Sequence, residues 1–272
     1  MDKKTVLIVN DIAGYGRVST FAMLPIFAHC GYHPYVLPTA LVSNTMDYGS
    51  AAILDTSDFM RNTINKWNEF GFSFDIVSTG LINSDEQVSI INDLLDTFKP
   101  KFFMVDPIMA DDGKLYPDMY PGAVECNRKL ISKSNLMIPN LTEATMIAGI
   151  FEGRKSLSDE EYRILVEKLV SLGAKDIVIT GCTDIDNHCF NLVYSADDKS
   201  IKKIFYNKIK ETFIGTGDVF SATLLCGLIK GKNLKESVSI ASDFVIEIIK
   251  DNINNKDHFD LFIEETIKKL KI

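Results

Sequence analysis

Short runs of β-branched and aromatic residues alternate with longer stretches of helical period from Thr5 to Thr180. The runs Thr5–Asn10, Tyr35–Leu37, Asp75–Ser78, Lys101–Val105, Leu136–Ile138 and Asp176–Thr180 read as strands. Between them, Thr20–Cys30, Ser57–Phe70, Ser84–Phe98, Met119–Ser132 and Asp159–Leu172 carry the apolar spacing of helices with one buried face. A chain that repeats strand and helix five times closes a core by laying its strands parallel and covering both faces of the sheet with helices. Local signals agree with these breaks. Ser158 and Glu161 form a capping box at a helix start, and Gly173 follows the last apolar residue of that helix as a stop.

The rhythm changes after Thr180. Cys189–Tyr194 and Ile201–Tyr206 resemble a hairpin joined through Ser195–Ser200, and three helices are expected to follow: Thr216–Lys230, Leu234–Asn252 and Phe259–Leu270. No repeat, low-complexity tract or long linker divides the sequence, so one domain over residues 1–272 is expected. A single α/β domain of that length buries enough surface to stand without disulfides or metals. The five cysteines are odd in number and scattered, which suits reduced thiols in a cytoplasmic protein. The apolar run at the start is too short for a signal peptide, and Arg17, Pro25, Pro34 and Pro38 break the stretch Ile12–Met46, which is therefore not expected to form a spanning helix. With 29 Lys and Arg against 37 Asp and Glu, the net charge of −8 disfavours nucleic acid and anionic membranes as partners.

Ligands of open parallel sheets bind outside the carboxyl ends of the strands. The polar residues just beyond each run are therefore the first to consider: Asn10-Asp11, Ser43-Asn44-Thr45, Gly80, Asp106, Asn140 and Thr180-Gly181. More specific is Thr212-Phe213-Ile214-Gly215-Thr216-Gly217-Asp218, followed at once by an apolar helix. Glycines permit a tight turn with converging amides, and a helix start adds partial positive charge, which together suit a phosphate. A carboxylate at Asp218, in the first turn, would lie where it could take a proton from an attacking hydroxyl. Against this stands a plain helix start in which Asp218 only complements the dipole, a reading of about equal weight on composition alone.

Gly215-Thr216-Gly217-Asp218 resembles the anion-hole and catalytic-base signature of the ribokinase superfamily. Within that superfamily the chain resembles the pyridoxal/pyridoxamine kinase family over nearly its full length. The supporting segments are Asn10–Ser19, Leu37–Asn44, Val105–Asp111, Ile138–Glu143 and Ile177–Gly181, in order and suitably spaced. The resemblance implies a ribokinase-like three-layer α/β/α sandwich with a mostly parallel central sheet. It also implies ATP-dependent phosphorylation of the 5′-hydroxymethyl group of a B6 vitamer, and a homodimer. On the same ground Asp218 matches the base, and Gly215, Thr216 and Gly217 the amides that hold developing charge. Asp106 and Glu143 match acids that organise Mg²⁺ and the ATP phosphates, directly or through water. Asn140, Thr180 and Gly181 match nucleotide-side positions, and Asp111 and Tyr116 fall in the loop covering ATP. Asn10 matches a ring-contacting position, and Ser43 and Thr45 lie in the substrate loop. A monovalent cation is left open. Two departures, the substrate loop Ser43-Asn44-Thr45-Met46-Asp47-Tyr48 where many relatives have a His-Thr pair and Gly181 where some carry Lys or Ser, leave vitamer preference open.

Other readings fare less well. Asn140 and Glu143 have capping-box spacing, which explains both without any ligand. Gly14-x-Gly16 lacks the third glycine of a dinucleotide fingerprint, and no acid occurs from Ile12 to Met46 to hold a ribose. No Walker A sequence is present, and no Gly-x-Ser-x-Gly elbow supports a hydrolase. Hydroxymethylpyrimidine kinase is the nearest enzyme alternative, and a catalytically silent nucleotide-binding protein the nearest alternative of another class.

Overall fold

The computed structural model describes residues 4–45, 48–117, 119–254 and 261–272. In chain order the elements are β1 (Val6–Ala13), α1 (Ser19–His29), β2 (Tyr35–Val42), β3 (Ile53–Asp55), α2 (Ser57–Glu69), β4 (Ile76–Thr79) and α3 (Asp85–Phe98). There follow β5 (Phe102–Val105), β6 (Ala110–Asp111), β7 (Lys114–Leu115), α4 (Ala123–Ile131), β8 (Leu136–Met137), α5 (Leu141–Ala148) and α6 (Asp159–Ser171). The last are β9 (Asp176–Thr183), β10 (Cys189–Ser195), β11 (Ser200–Phe205), α7 (Thr216–Ile229), α8 (Leu234–Asn252) and α9 (Ile263–Thr266).

Nine strands form one sheet in the order β11-β10-β9-β8-β5-β4-β1-β2-β3. The six from β9 to β2 run parallel, while β3 pairs antiparallel with β2 at one edge and, at the other, β10 pairs antiparallel with both β9 and β11. Each central strand divides its side chains between two cores. Leu7, Val9, Val77, Phe103, Val105, Met137 and Ile177 meet α2 to α6 on one face. Val6, Ile8, Ile76, Met104, Leu136 and Val178 meet α1, α7, α8 and α9 on the other. Burial on both faces is why these runs are apolar throughout rather than alternating. The fold is a ribokinase-like three-layer sandwich. Helix α7 is apolar nearly all round because it packs against α1 and α8 as well as the sheet.

Several boundaries differ from those the residue pattern suggests. β1 continues through Asn10 and Asp11 to Ala13, so both residues lie within the strand rather than after it. β2 likewise runs past Pro38, which pairs with Asn10 just where the register shifts before Ile12. Proline's missing N–H is tolerated at such an irregularity. α4 begins at Ala123 rather than Met119, because Pro121-Gly122 interrupts the pattern. The start of the expected Phe259–Leu270 helix lies outside the described residues. Its remainder is the short α9 and a 3-10 turn over Ile267–Lys269.

Walking outward from β1, the sheet runs one way to β2 and the other way to β4, so the strand order switches there. Such a switch opens a crevice beyond the carboxyl ends of the strands. Asn10 sits in it. Its side-chain oxygen accepts the Asp11 and Leu81 amides at 3.0 and 2.8 Å. A Cβ on Gly80 would come within 2.3 Å of the Asn10 carboxamide, so only glycine admits that side chain.

Candidate active site

Three helix starts converge above this crevice. α7 begins with Thr216, Gly217 and Asp218, so the Asp218 carboxylate belongs to its first turn. One of its oxygens, Oδ2, accepts the Ser19 amide at the start of α1 at 2.7 Å. The other, Oδ1, is buried without a partner among the described residues. Gly215, with φ +86°, turns the chain into α7 directly against the β1–α1 loop: a Cβ there would stand 2.3 Å from the Arg17 carbonyl oxygen. Around Gly217, by contrast, the added Cβ would meet nothing within 4 Å. The Thr216 hydroxyl donates to the Phe213 carbonyl at 3.1 Å, closing the turn.

Asp106 follows β5 and faces the same helix one turn on, where the Ser221 hydroxyl donates to Oδ2 at 2.6 Å. α5 supplies the third start. Its capping box is complete: Asn140 accepts the Glu143 amide, and Glu143 Oε2 accepts the Asn140 amide. Glu143 does more than cap. Its Oε1 also takes the amides of Met109 and Ala110, at 3.0 and 3.3 Å, and so fastens the root of the β6–β7 flap. The flap turns through Asp112 and Gly113, and the Gly113 amide reaches the Thr142 hydroxyl at 3.0 Å.

Burial sets the electrostatics. It pushes Asp218 up to about 8, with Asp106 and Asp11 adding repulsion, while the Ser19 amide and Asn10 side chain work the other way. Burial likewise lifts Asp106 to about 7 against the Ser221 hydrogen bond. Glu143 is raised well above the usual carboxylate range by burial and by Asp106, despite its three amide donors. Asp11, 5 % exposed, is raised by burial. The Tyr116 phenol is also held up by burial, and then by Glu143, Asp111, Asp106 and Asp218.

The residues singled out from sequence fall into two ends of one crevice. Asn140 and Thr180 pair in parallel, the Thr180 amide reaches the Pro139 carbonyl, and Gly181 donates to the Asn191 side chain. These, with Asp106, Glu143, Asp111 and Tyr116, form one end. At the other, the Gly14 amide donates to the Val42 carbonyl, bringing the β1–α1 loop against Ser43. Ser43 is engaged within its own loop, donating to Asn44 and accepting from the Ala52 amide. Thr45 is buried, with its hydroxyl unpartnered among the described residues. Met46 and Asp47 of this loop lie outside the described residues. Asp11, expected among the polar residues at the end of the first run, joins the site; Ser19, Met109 and Ala110 lie in segments that carry the resemblance without being singled out in them, and Ser221 lies in none. Only Ser221, three residues after Asp218 on a helix, had a spacing that could have placed it beside the carboxylate.

Oxygen donors with little basic compensation suit a hard divalent cation. Asp106 keeps one oxygen without a hydrogen bond from Ser221, and the raised carboxyls are the groups a cation would neutralise. The donor set therefore fits Mg²⁺.

The phosphomethylpyrimidine kinase family model matches residues 22–261. A hydroxymethylpyrimidine/phosphomethylpyrimidine kinase of Aquifex aeolicus is 28 % identical over 251 residues, covering 90 % of this chain and 95 % of that one. A Bacteroides thetaiotaomicron protein described as a phosphomethylpyrimidine kinase, crystallised with pyridoxal, superposes with a TM-score of 0.94 at 26 % identity, covering 100 % of this chain and 96 % of that one. The fold is shared with the pyridoxal kinase of Staphylococcus aureus in complex with ADP, with a TM-score of 0.81 at 22 % identity over 96 % of this chain and 93 % of that one. With the match extending from Ala22 within α1 to Leu261, two residues before α9 begins, the chain belongs to the phosphomethylpyrimidine kinase family, a family of phosphotransferases.

Proposed function

We propose that this chain, as a single kinase domain, transfers the γ-phosphoryl group of ATP to the 5′-hydroxymethyl group of a B6 vitamer, in salvage of pyridoxal 5′-phosphate. One observation carries the reading: Asp218 is anchored by one oxygen at the start of α1 and keeps the other unpartnered beside the Gly215-Thr216-Gly217 turn. The pyridoxal bound by the Bacteroides thetaiotaomicron relative supports the vitamer, and the ADP of the Staphylococcus aureus kinase supports ATP.

In this mechanism Asp218 Oδ1 accepts the hydroxymethyl proton as the substrate oxygen attacks the γ-phosphorus in line. The amides of Gly215 to Gly217, at the positive end of α7, take up charge on the transferring group. Asp106 and Glu143 would hold Mg²⁺, Glu143 through water because its oxygens already accept amides. Bound there, the ion screens phosphate charge. Asn140, Thr180 and Gly181 line the nucleotide end, and the flap with Asp111 and Tyr116 covers it from water. Asn10, Ser43 and Thr45 line the vitamer end. Positioning and charge stabilisation contribute more than proton removal in such a transfer.

A second reading, hydroxymethylpyrimidine kinase, is favoured by the Aquifex aeolicus relative. Both acceptors present a hydroxymethyl group on a planar nitrogen heterocycle, so Asp218 serves either. ADP release with pyridoxal, pyridoxamine, pyridoxine and hydroxymethylpyrimidine separates them. Turnover of the pyrimidine alone overturns the vitamer, and no ADP from any of the four leaves a silent nucleotide-binding protein. The reading includes a cytoplasmic homodimer. The exposed Ile53 and Leu54 of edge strand β3 are a surface a second copy would cover, and light scattering reads the mass.

A further inference from the structure

Ser19 opens α1 with φ +51°, a left-handed backbone that a residue bearing Cβ holds only where its surroundings impose it. It is 8 % exposed, and such strained positions gather where function needs a group aimed. Two contacts explain the conformation. The Ser19 amide donates to Asp218 Oδ2 at 2.7 Å, across 199 residues of sequence. The Ser19 side chain also lies beside the buried Asp11 carboxyl and offsets part of the rise that burial gives it. The Phe21 and Ala22 amides of the same turn point inward to the Val18 carbonyl, whereas that of Ser19 points across to α7.

We propose that Ser19 is a positioning residue for phosphoryl transfer. Its left-handed backbone turns the amide onto Asp218 Oδ2, which fixes the carboxylate and reserves Oδ1 as the proton acceptor. Asp11 holds the serine in that conformation from the other side. This rests on the reading of Asp218 as the base. The α1 dipole adds to the same contact, because the amide lies at the positive end of the helix. The contact also joins the two helices that frame the vitamer and phosphate ends of the crevice, so the orientation of Asp218 is set by the sheet's first strand and not by α7 alone.

The test exploits backbone preference. Glycine adopts φ +51° without strain and retains the N–H, whereas β-branched valine resists that region. Ser19→Gly, Ser19→Val and Asp218→Ala are made singly, and each Ser19 change is also combined with Asp218→Ala. Turnover, KM for ATP and for pyridoxal or hydroxymethylpyrimidine, whichever reacts faster, ADP affinity and thermal unfolding are measured for each. Ser19→Gly is expected to keep kcat within about threefold of wild type, and Ser19→Val to lose about 10- to 100-fold, as for loss of a hydrogen bond to a charged group. KM for ATP and ADP affinity stay within about twofold, because the nucleotide end is untouched. In the Asp218→Ala background the two Ser19 variants turn over equally, since the group they position is gone. Wild-type kcat in Ser19→Val, or an equal loss in the Asp218→Ala background, overturns the proposal. Wild-type turnover in Asp218→Ala alone instead overturns the base on which it rests. Should valine prevent folding, Ser19→Ala carries the same comparison, because alanine also resists φ +51° and adds no bulk.

Discussion

Two alanines placed two residues apart in the phosphate turn should fail in opposite ways. At Gly215 the backbone has φ +86°, and a Cβ would lie 2.3 Å from the Arg17 carbonyl oxygen and 3.4 Å from Val18 Cα. Adopting the left-handed region costs alanine about 1–2 kcal/mol. Backbone cannot rotate aside as a side chain does, so relieving the contact moves the turn or the β1–α1 loop by about 1 Å at about 1–3 kcal/mol. The sum, about 2–5 kcal/mol, corresponds in a chain of this size to a melting temperature lower by about 5–15 °C. At Gly217 no heavy atom beyond the surrounding turn of its own helix lies within 4 Å of the added carbon, and the residue sits in the first turn of α7. Alanine there should hold or raise stability by about 0.4–1 kcal/mol, through the unfolded chain. Yet its methyl group would stand in the space assigned to the transferring phosphate, so kcat should fall by about 10²-fold or more. Differential scanning fluorimetry and an ADP-release assay on both variants read the two effects separately. A stable Gly217→Ala protein with wild-type turnover would refute the placement of the phosphate over this turn. An unchanged melting temperature in Gly215→Ala would refute the close approach of Arg17.

Asp218→Asn should lower kcat by about 10²–10⁴ while ADP affinity measured by calorimetry stays near wild type, because the amide retains the shape but not the basicity of the group. Asp106 and Asp218 are raised to about 7 and about 8, above the ordinary unfolded value near 4, so the folded state binds more protons. Their contribution to stability is therefore complete below about pH 4 and is lost as pH rises through 7 and 8. Asp106→Asn should accordingly melt higher than wild type at pH 9 by roughly a few degrees, with the gap closing toward pH 4, whereas a constant gap would contradict the assignment. Ser221→Ala removes the hydroxyl that orients Asp106 and should raise the Mg²⁺ concentration for half-maximal activity by about 10-fold, read from titrations at fixed ATP.

The parts of this molecule that can be read from sequence are those where one physical demand acts on every residue of a segment. The central strands are buried on both faces, so Val6 to Val9 and Phe102 to Val105 are apolar without exception and stand out. Ser158 and Asn140 are legible because capping needs a particular side chain followed by Glu at a fixed distance. β3 is not legible: all three residues are exposed and follow no alternation, and pairing with β2 alone makes them a strand. The β6–β7 flap has two residues in each strand, too few for any period, and only its Asp-Gly turn shows. The site divides in the same way. Asp218 and Gly215 carry a signature because a carboxylate and a positive φ restrict the residue type. The Met109, Ala110 and Ser19 amides carry none, because every residue but proline supplies an N–H. Even φ +51° leaves no trace at position 19, since the strain is imposed by Asp11 and Asp218 and not relieved by glycine.

In the proposed mechanism, the build of the Gly215-Thr216-Gly217 turn from glycine and threonine follows from the carboxylates beneath it. A lysine in that turn would bind the phosphate through charge, but it would stand equally close to Asp218. An ammonium group at that distance favours the ionised carboxylate and depresses its proton affinity, which weakens it as a base. Amide donors avoid the conflict: they give partial positive charge at the start of α7, directed at the phosphate, without a mobile cation that could pair with the acid. Asp218 can then stay raised, through burial and the neighbouring Asp106 and Asp11, near the pH at which the proposed base would work. On the proposed reading, the same acids disfavour an anion until a divalent cation arrives with the nucleotide, so metal and phosphate would bind more favourably together than either does alone. The buried acids of β1, β5 and α5 thus tie the proton affinity of the base to the arrival of the group it serves.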